Sequence, residues 1–251
     1  MRNVNMPNKK MLQLFKLINT LTLKFLILLI ASNDLIAKEF IVGVEDLQYE
    51  PYFYHTPRGN YAGYSRDLLD AFAKYSNHKI TYKKLSIPDL FEAFFYDEID
   101  FKYPDNPKWN SDAKTLYDVS YSNSAVRFID GIITLEKNKD LNIDSLKTLS
   151  IIKGFSAPSY LKNTKLIETN SLASSIDSIL IGKTQALYGN IIVANYKISK
   201  ISKSKVVLNK NFTTFTDHYH LSTINYPEVI EEFNNFLIEQ NELVISLRKK
   251  I

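Results

Sequence analysis

Between Phe40 and Ala73 the chain reads FIVGVEDLQYEPYFYHTPRGNYAGYSRDLLDAFA, and no other stretch narrows its folding options as much. Ile41 to Val44 is a short apolar run of strand type, Glu45 to Gly63 is acidic, aromatic and rich in turn formers, and the segment from Ser65 has apolar residues at helical spacing. A strand followed by a loop and a helix is the first half of a unit that must return to a parallel strand. Ligands of open α/β sheets sit beyond the carboxyl ends of such strands. Glu45, Asp46, Tyr49 and Tyr52 follow the strand directly and are therefore the first candidates for gripping a bound molecule.

The rest of the chain repeats the alternation, which is the pattern of an α/β fold. Ser65 is expected to cap a helix with a buried stripe of Leu68, Ala71, Phe72 and Tyr75. A strand is expected over 79–85. Ser86-Ile87-Pro88-Asp89 has the form of a capping box, opening a helix with Ile87, Leu90, Phe91, Phe94 and Phe95 on one face. A short strand from Asp100 to Tyr103 precedes Pro104-Asp105-Asn106-Pro107-Lys108-Trp109-Asn110, where two prolines oppose regular structure and the chain's single tryptophan sits among polar residues. Because this loop again follows a strand's carboxyl end, Tyr103, Asp105, Asn106 and Trp109 join the candidates; the bland alternative is a rigid surface turn.

Further strands are expected at Phe128 to Leu135, Leu149 to Ile152, Leu166 to Glu168, Ala186 to Tyr188, Val206 to Leu208 and Tyr219 to Ile224. Gly154-Phe155-Ser156-Ala157-Pro158 reads as a turn into a helix. Ser171 begins another helix, with Leu172, Ile176, Ile179 and Leu180 inside and a stop at Gly182. Gly189-Asn190 turns into a helix through Tyr196, and terminal helices cover 227–239 and 243–249.

The first 37 residues form a separate class of sequence. Arg2, Lys9, Lys10, Lys16 and Lys24 precede the apolar run from Phe25 to Ala31, which is shorter than the roughly 20 residues of a membrane span. With Ala37 as cleavage point, residues 1–37 read as a secretory signal peptide and the remainder as an exported, periplasmic protein. Removing them takes five of 31 basic and one of 27 acidic residues, leaving 26 of each. Such a balanced chain lacks the basic footprint of a nucleic-acid binder. With no cysteine there is no disulfide framework, thiolate metal site or cysteine nucleophile.

The segment Ile41 to Val44, Glu45 or Asp46, Tyr49 before Pro51, and Gly63-Tyr64-Ser65-Arg66-Asp67-Leu68 resembles the opening of the periplasmic solute-binding proteins of the polar amino-acid ABC transporter family. Tyr117-Asp118-Val119-Ser120-Tyr121-Ser122 resembles that family's short strand ending in an aromatic-Ser pair, and the order of elements agrees from residue 39 to about 250. The resemblance implies a type 2 periplasmic binding fold: two lobes, each a mixed sheet flanked by helices, joined by a two-strand hinge. Its parts would be lobe 1 over 38–131, lobe 2 over 132–219 and a return to lobe 1 over 220–251. It further implies a monomeric, non-enzymatic protein that needs no cofactor or metal, traps a small polar solute such as an amino acid or related compound, and serves an inner-membrane permease or receptor.

The sequence departs from the family at the ligand contacts. Family members hold the ligand carboxylate with an arginine shortly before the aromatic-Ser pair; here 111–116 has none, leaving Lys114 or the more distant Arg127. The aspartate that receives the ligand ammonium is matched by the neutral Asn190. What remains is Glu45 and Asp46, an aromatic collar of Tyr49, Tyr52, Tyr103 and Trp109, and a helix start near Ser156. Carboxylates beside aromatic faces suit a cationic or polyhydroxylated ligand, and a helix amino terminus suits an anionic group.

Two motifs point elsewhere. Gly154-Phe155-Ser156-Ala157-Pro158 approaches a nucleophile elbow but ends in proline and has no evident base. Asp217-His218-Tyr219-His220 sets two histidines on one strand face, which offers a metal two ligands but reads more simply as structural. An enzyme on the same scaffold, resembling cyclohexadienyl dehydratase with Glu45 as acid or base, and a stand-alone ligand sensor are the competing readings.

Overall fold

The computed structural model describes residues 37–251; the expected leader lies outside the described residues except for Ala37. Among those residues no helix is long and apolar enough to cross a membrane.

Strand β1 (Glu39–Glu45) pairs in parallel with β4 (Lys79–Leu85) along its whole length and with β5 (Phe101–Asp105) at Val42 and Gly43. The crossovers are α1 (Tyr64–Tyr75) and α2 (Ile87–Phe95), and a small hairpin, β2 (Tyr54–His55) with β3 (Tyr61–Ala62), precedes α1. These form the first lobe. The second is built from parallel β8 (Thr148–Ile152), β9 (Lys165–Thr169) and β10 (Ala186–Asn190), with α4 (Leu172–Leu180) and α5 (Ile191–Ile201) packed on it. The short α3 (Ser111–Lys114) and β6 (Ser120–Tyr121) lie between the two halves in sequence.

Two antiparallel strands belong to both lobes. β7 (Val126–Leu135) and β12 (Phe215–Thr223) pair with each other from Asp130 and Phe215 to Val126 and Tyr219. Beyond that stretch β12 continues along β5 and β6 in the first lobe, while β7 continues along β10 and β11 (Val206–Leu208) in the second. The sheet order β4-β1-β5-β12-β7-β10-β8-β9 is thus continuous. The burial of β7 records the passage: Val126 and Phe128 are buried and Arg127 exposed, whereas every residue from Asp130 to Leu135 is buried. Alternation marks a strand with one wet face, and a continuous run marks one covered on both. Helices α6 (Pro227–Glu239) and α7 (Asn241–Arg248) return to pack on α1.

Local chemistry explains most boundaries. Ser86 caps α2, its Oγ accepting from Asp89 N at 3.4 Å, and Pro88 occupies the first turn. Ser171 caps α4 by accepting from Ser174 N at 3.1 Å, and the helix ends at Gly182 with φ 73°. Gly43 has no room for a side chain, since a Cβ there would lie 2.3 Å from Ile99 Cδ1 and 2.6 Å from Leu90 Cδ1. Its absence lets α2 settle on β1.

Four expectations are corrected. Ser65 does not cap α1: the helix starts at Tyr64 behind Gly63, whose φ of 99° suits glycine, and Ser65 is fully buried with an unpartnered Oγ. Pro104 and Asp105 belong to β5 because the β5–β12 register shifts there, and a bulge tolerates a residue without an N–H. Gly189 and Asn190 complete β10, and only then does α5 begin, running on to Ile201. No helix follows Gly154; 153–164 is irregular, with Leu161 N bonded to Pro158 O, because Gly154, Pro158 and Asn163 leave no uninterrupted helical turn.

Candidate functional site

A cleft of about 670 Å³ lies at the carboxyl end of β1 and is walled by both lobes. The first lobe contributes Glu45, Tyr49, Phe91 and Trp109, the crossing strands contribute Asp130, Phe215 and Tyr219, and the second lobe contributes Gly154 to Ser156 and Tyr188. Its size falls in the usual range for small-molecule sites. A depression of about 850 Å³ beside α1 is larger but more open, and its charged groups pair off, Lys250 with Asp67 at 2.6 Å and Arg66 with Asp70. The interlobe cleft is therefore the better site.

Glu45 ends β1, where its carbonyl is bonded to the His55 ring at 3.0 Å. The side chain is buried, and among the described residues no donor reaches its carboxylate. Burial pushes its pKa up to about 7, with Lys102 opposing and Asp105 adding to the rise. Asp130 stands across the cleft on β7, equally buried, with Oδ1 lacking any hydrogen bond. Burial also raises its pKa to about 7; the Asn190 amide opposes, and Glu45 pushes it further. β1 and β7 thus each present to the cleft a carboxyl group whose pKa burial raises well above the ordinary carboxylate range.

Asn190 sits behind this pair rather than on the wall. Its Oδ1 accepts from Ile192 N at 2.9 Å and Val193 N at 3.2 Å, capping α5. Its Nδ2 makes no well-formed hydrogen bond but is close enough to Asp130 and Tyr52 to favour their ionised forms.

The aromatic walls are themselves packed. Tyr49 stacks on Phe53 with centroids 5.3 Å apart and meets Phe155 edge-on at 6.1 Å. Tyr219 stacks on Phe128 at 4.6 Å, and Trp109 is 5.8 Å from both. Burial raises the pKa values of Tyr49, Tyr188 and Tyr219, so these phenols remain neutral.

The positive charges lie beneath the cleft and already have partners. Lys102 Nζ donates to Asp105 Oδ1 and Pro104 O, both at 2.9 Å. Lys114 Nζ donates to Asp105 Oδ1 at 2.8 Å and to Asp105 Oδ2 and Asn106 O at 2.9 Å. Ser222 Oγ donates to Asp105 Oδ2 at 2.7 Å. Burial would raise the Asp105 pKa, but Lys102 and Lys114 more than offset it and hold the group below its ordinary value. Lys114 is lowered to about 8, by burial first and Lys102 second, against the pull of Asp105. Lys108, on the cleft rim, pairs with Asp217 at 2.9 Å.

Of the residues singled out from the sequence, the cleft brings together Glu45, Tyr49, Trp109 and Ser156. The others lie elsewhere. Asp46 is exposed beside Lys84 at 3.3 Å. Tyr52 is fully buried and donates to Arg127 O at 3.2 Å, while the Arg127 side chain is exposed. Tyr103 is buried in the core with an unpartnered hydroxyl. Asp105 anchors the two lysines. Asn106 braces its loop, giving Nδ2 to His218 O and taking Lys108 N, each at 2.9 Å. Ser156 lies on irregular chain, so the helix dipole expected there is absent. His220 Nδ1 is 2.7 Å from Ser122 O, no histidine lines the cleft, and among the described residues no group of three or more His, Cys, Asp or Glu could hold a metal ion.

Asp130 was missed. Its signal was present as the lone charge in Phe128-Ile129-Asp130-Gly131-Ile132-Ile133, since a carboxylate is rarely placed in a doubly covered strand without a use. Phe155, Tyr188, Phe215 and Tyr219 also line the cleft, and nothing local in the sequence marks them for it.

No family model matches the chain, and no curated protein matches it. Solved structures do. An ancestral arginine-binding protein bound to arginine superposes with a TM-score of 0.70 at 17% identity, over 84% of this chain and 97% of the other. An ancestral amino acid-binding protein, described as a precursor of cyclohexadienyl dehydratase, gives 0.69 at 19% identity over 84% and 94%. The substrate-binding protein of an amino acid ABC transporter gives 0.67 at 16% identity over 84% and 98%. The chain therefore has the two-lobed α/β fold of the periplasmic binding proteins.

Proposed function

We propose that the chain is a solute-binding protein: a monomer exported to the periplasm that captures a small polar molecule between its lobes and presents it to an inner-membrane permease. The observation that carries this reading is the interlobe cleft, with one buried carboxyl group on β1 and another on β7. A ligand held there touches both lobes, so its binding energy favours their closure around it. The likeness in fold to an arginine-binding protein and a transporter's substrate-binding protein supports the reading.

A thermal-shift screen of the purified protein against amino acids, amines, sugars and small acids tests it. A true ligand at 100 times its Kd adds about 2.7 kcal/mol to the native state. Glu45→Gln and Trp109→Ala are expected to weaken the response of that ligand by tenfold or more. If no compound of any class raises Tm, the solute-binding reading fails. A response that both variants retain would mean that the ligand sits elsewhere.

The poised pKa of Glu45 favours a second reading, because general acid–base catalysis works best with a group near the operating pH. The likeness to a dehydratase precursor gives that reading a substrate class. Turnover of prephenate or arogenate above the buffer control would establish it. The expected rate is indistinguishable from that control.

A further inference from the structure

Resting on the solute-binding reading, we propose that the solute is an organic ammonium or guanidinium compound without a carboxylate, held between Glu45 and Asp130 inside an aromatic enclosure. The cleft offers two buried acceptors, while the cation among its lining residues, Lys108 on the rim, is paired with Asp217. Among the described residues Asp130 Oδ1 is buried without a hydrogen bond, and none donates to the buried Glu45 carboxylate. Buried carboxylates left so are costly unless a ligand supplies the missing donors. The rings of Tyr49, Trp109, Phe155, Tyr188 and Tyr219 that line the same cleft suit a desolvated cation.

A ligand carboxylate, by contrast, finds nothing to pair with. Lys102 and Lys114 are saturated by Asp105 and by main-chain carbonyls, and they lie behind the Phe91 ring, 4.5 and 5.5 Å from its centroid. Lys108 is held by Asp217, and the exposed Arg127 is not on the cleft wall. Neither nearby helix start is open: Asn190 Oδ1 fills that of α5, and Ser86 with Asp89 fills that of α2. An α-amino acid would bury its carboxylate unpaired, whereas its decarboxylated amine would not.

The carboxyl groups also couple binding to protons. Facing Glu45 are Lys102 and Asp105 of β5, Asp130 across the cleft, and the phenols of Tyr49, Tyr61 and Tyr219; facing Asp130 are Glu45, Asn190 and the phenols of Tyr49, Tyr52, Tyr188 and Tyr219. With both carboxyl groups raised to about 7 in the empty cleft, a cation binds their ionised forms and expels protons. If both must ionise, affinity falls about 100-fold from pH 8 to pH 6, and about tenfold if one must.

Titration calorimetry with agmatine, putrescine, arginine and glutamate, at pH 6 and pH 8 in buffers of different ionisation enthalpy, tests this. Agmatine or putrescine is expected to bind at least tenfold more tightly than arginine, to weaken 10- to 100-fold at pH 6 and to release protons. Asp130→Asn is expected to lose at least tenfold in affinity and most of the pH dependence, with a Tm at pH 8 no lower than that of the parent protein. Tighter binding of arginine or glutamate, or unchanged amine affinity in Asp130→Asn, overturns the proposal. So does a neutral or acidic ligand from the thermal screen when no amine binds, and that result leaves the solute-binding reading standing. Silence from every class removes both.

Discussion

Under the proposed function, Glu45 and Asp130 are the residues at which stability and ligand binding oppose each other. Their pKa values rise from 4.5 and 3.8 to about 7 on folding, chiefly through burial. A raised folded-state pKa means that the stabilisation is complete below the unfolded value and is lost as pH rises through the folded one. Ligand-free protein should therefore lose stability between about pH 4 and pH 8, by at most about 3 kcal/mol for Glu45 and about 4 kcal/mol for Asp130. The double variant Glu45→Gln, Asp130→Asn is expected to flatten this part of the profile and to raise Tm at pH 8 while abolishing amine binding. Differential scanning calorimetry across that range checks it, and a double variant less stable at pH 8 would mean that the pair supports the fold. Asp105 behaves oppositely. Its lowered pKa contributes stability at neutral pH that is lost as acid protonates it, because two buried lysines depend on its charge.

At the scale of elements, the placement of Glu45 and Tyr49 depends on how the loop after β1 is folded back onto α1. Tyr49 N bonds to Phe53 O at 2.9 Å, and Ser65 N to Tyr52 O at 2.9 Å. Gly63 makes the turn with φ 99°, and a Cβ there would lie 2.9 Å from Tyr52 O and 3.0 Å from Phe53 Cα. Because those obstacles are backbone, they cannot rotate away. Gly63→Ala is expected to destabilise by about 1–3 kcal/mol, from strain at positive φ plus the close contacts. Chemical denaturation measures this directly, and a change below about 0.5 kcal/mol would show that the loop relaxes freely. Strands and helices at 79–85, 172–180, 206–208 and 227–239 were legible in the sequence because their apolar period and caps are local. The chain after Gly154 was not, since one glycine and one proline can begin a helix or prevent one.

For the whole molecule, β7 and β12 are the strands that join the lobes, and side-chain contacts also run from one lobe to the other. Glu50, in the loop after β1, forms an ion pair with Lys197 on α5 of the second lobe. Both side chains are partly exposed, and such pairs contribute about 1 kcal/mol or less. Lys197→Ala should therefore weaken ligand binding by no more than about fivefold, measured by the same calorimetry. A loss of tenfold or more would make this pair a principal latch of the closed arrangement.

By itself the sequence determined the alternation of strands and helices, the strand at 128–135, and Glu45, Tyr49 and Trp109 as candidates, because each follows from local period or from position after a strand. Tertiary structure alone decided which polar groups are free. Asp105 and Lys114 look like ligand contacts in one dimension, yet with Lys102 they satisfy one another in the core. Asp130 looks like an interruption in an apolar strand, yet it is left facing the cleft. Whether a charge is paired depends on neighbours brought from distant parts of the chain, and those are set only when the lobes pack.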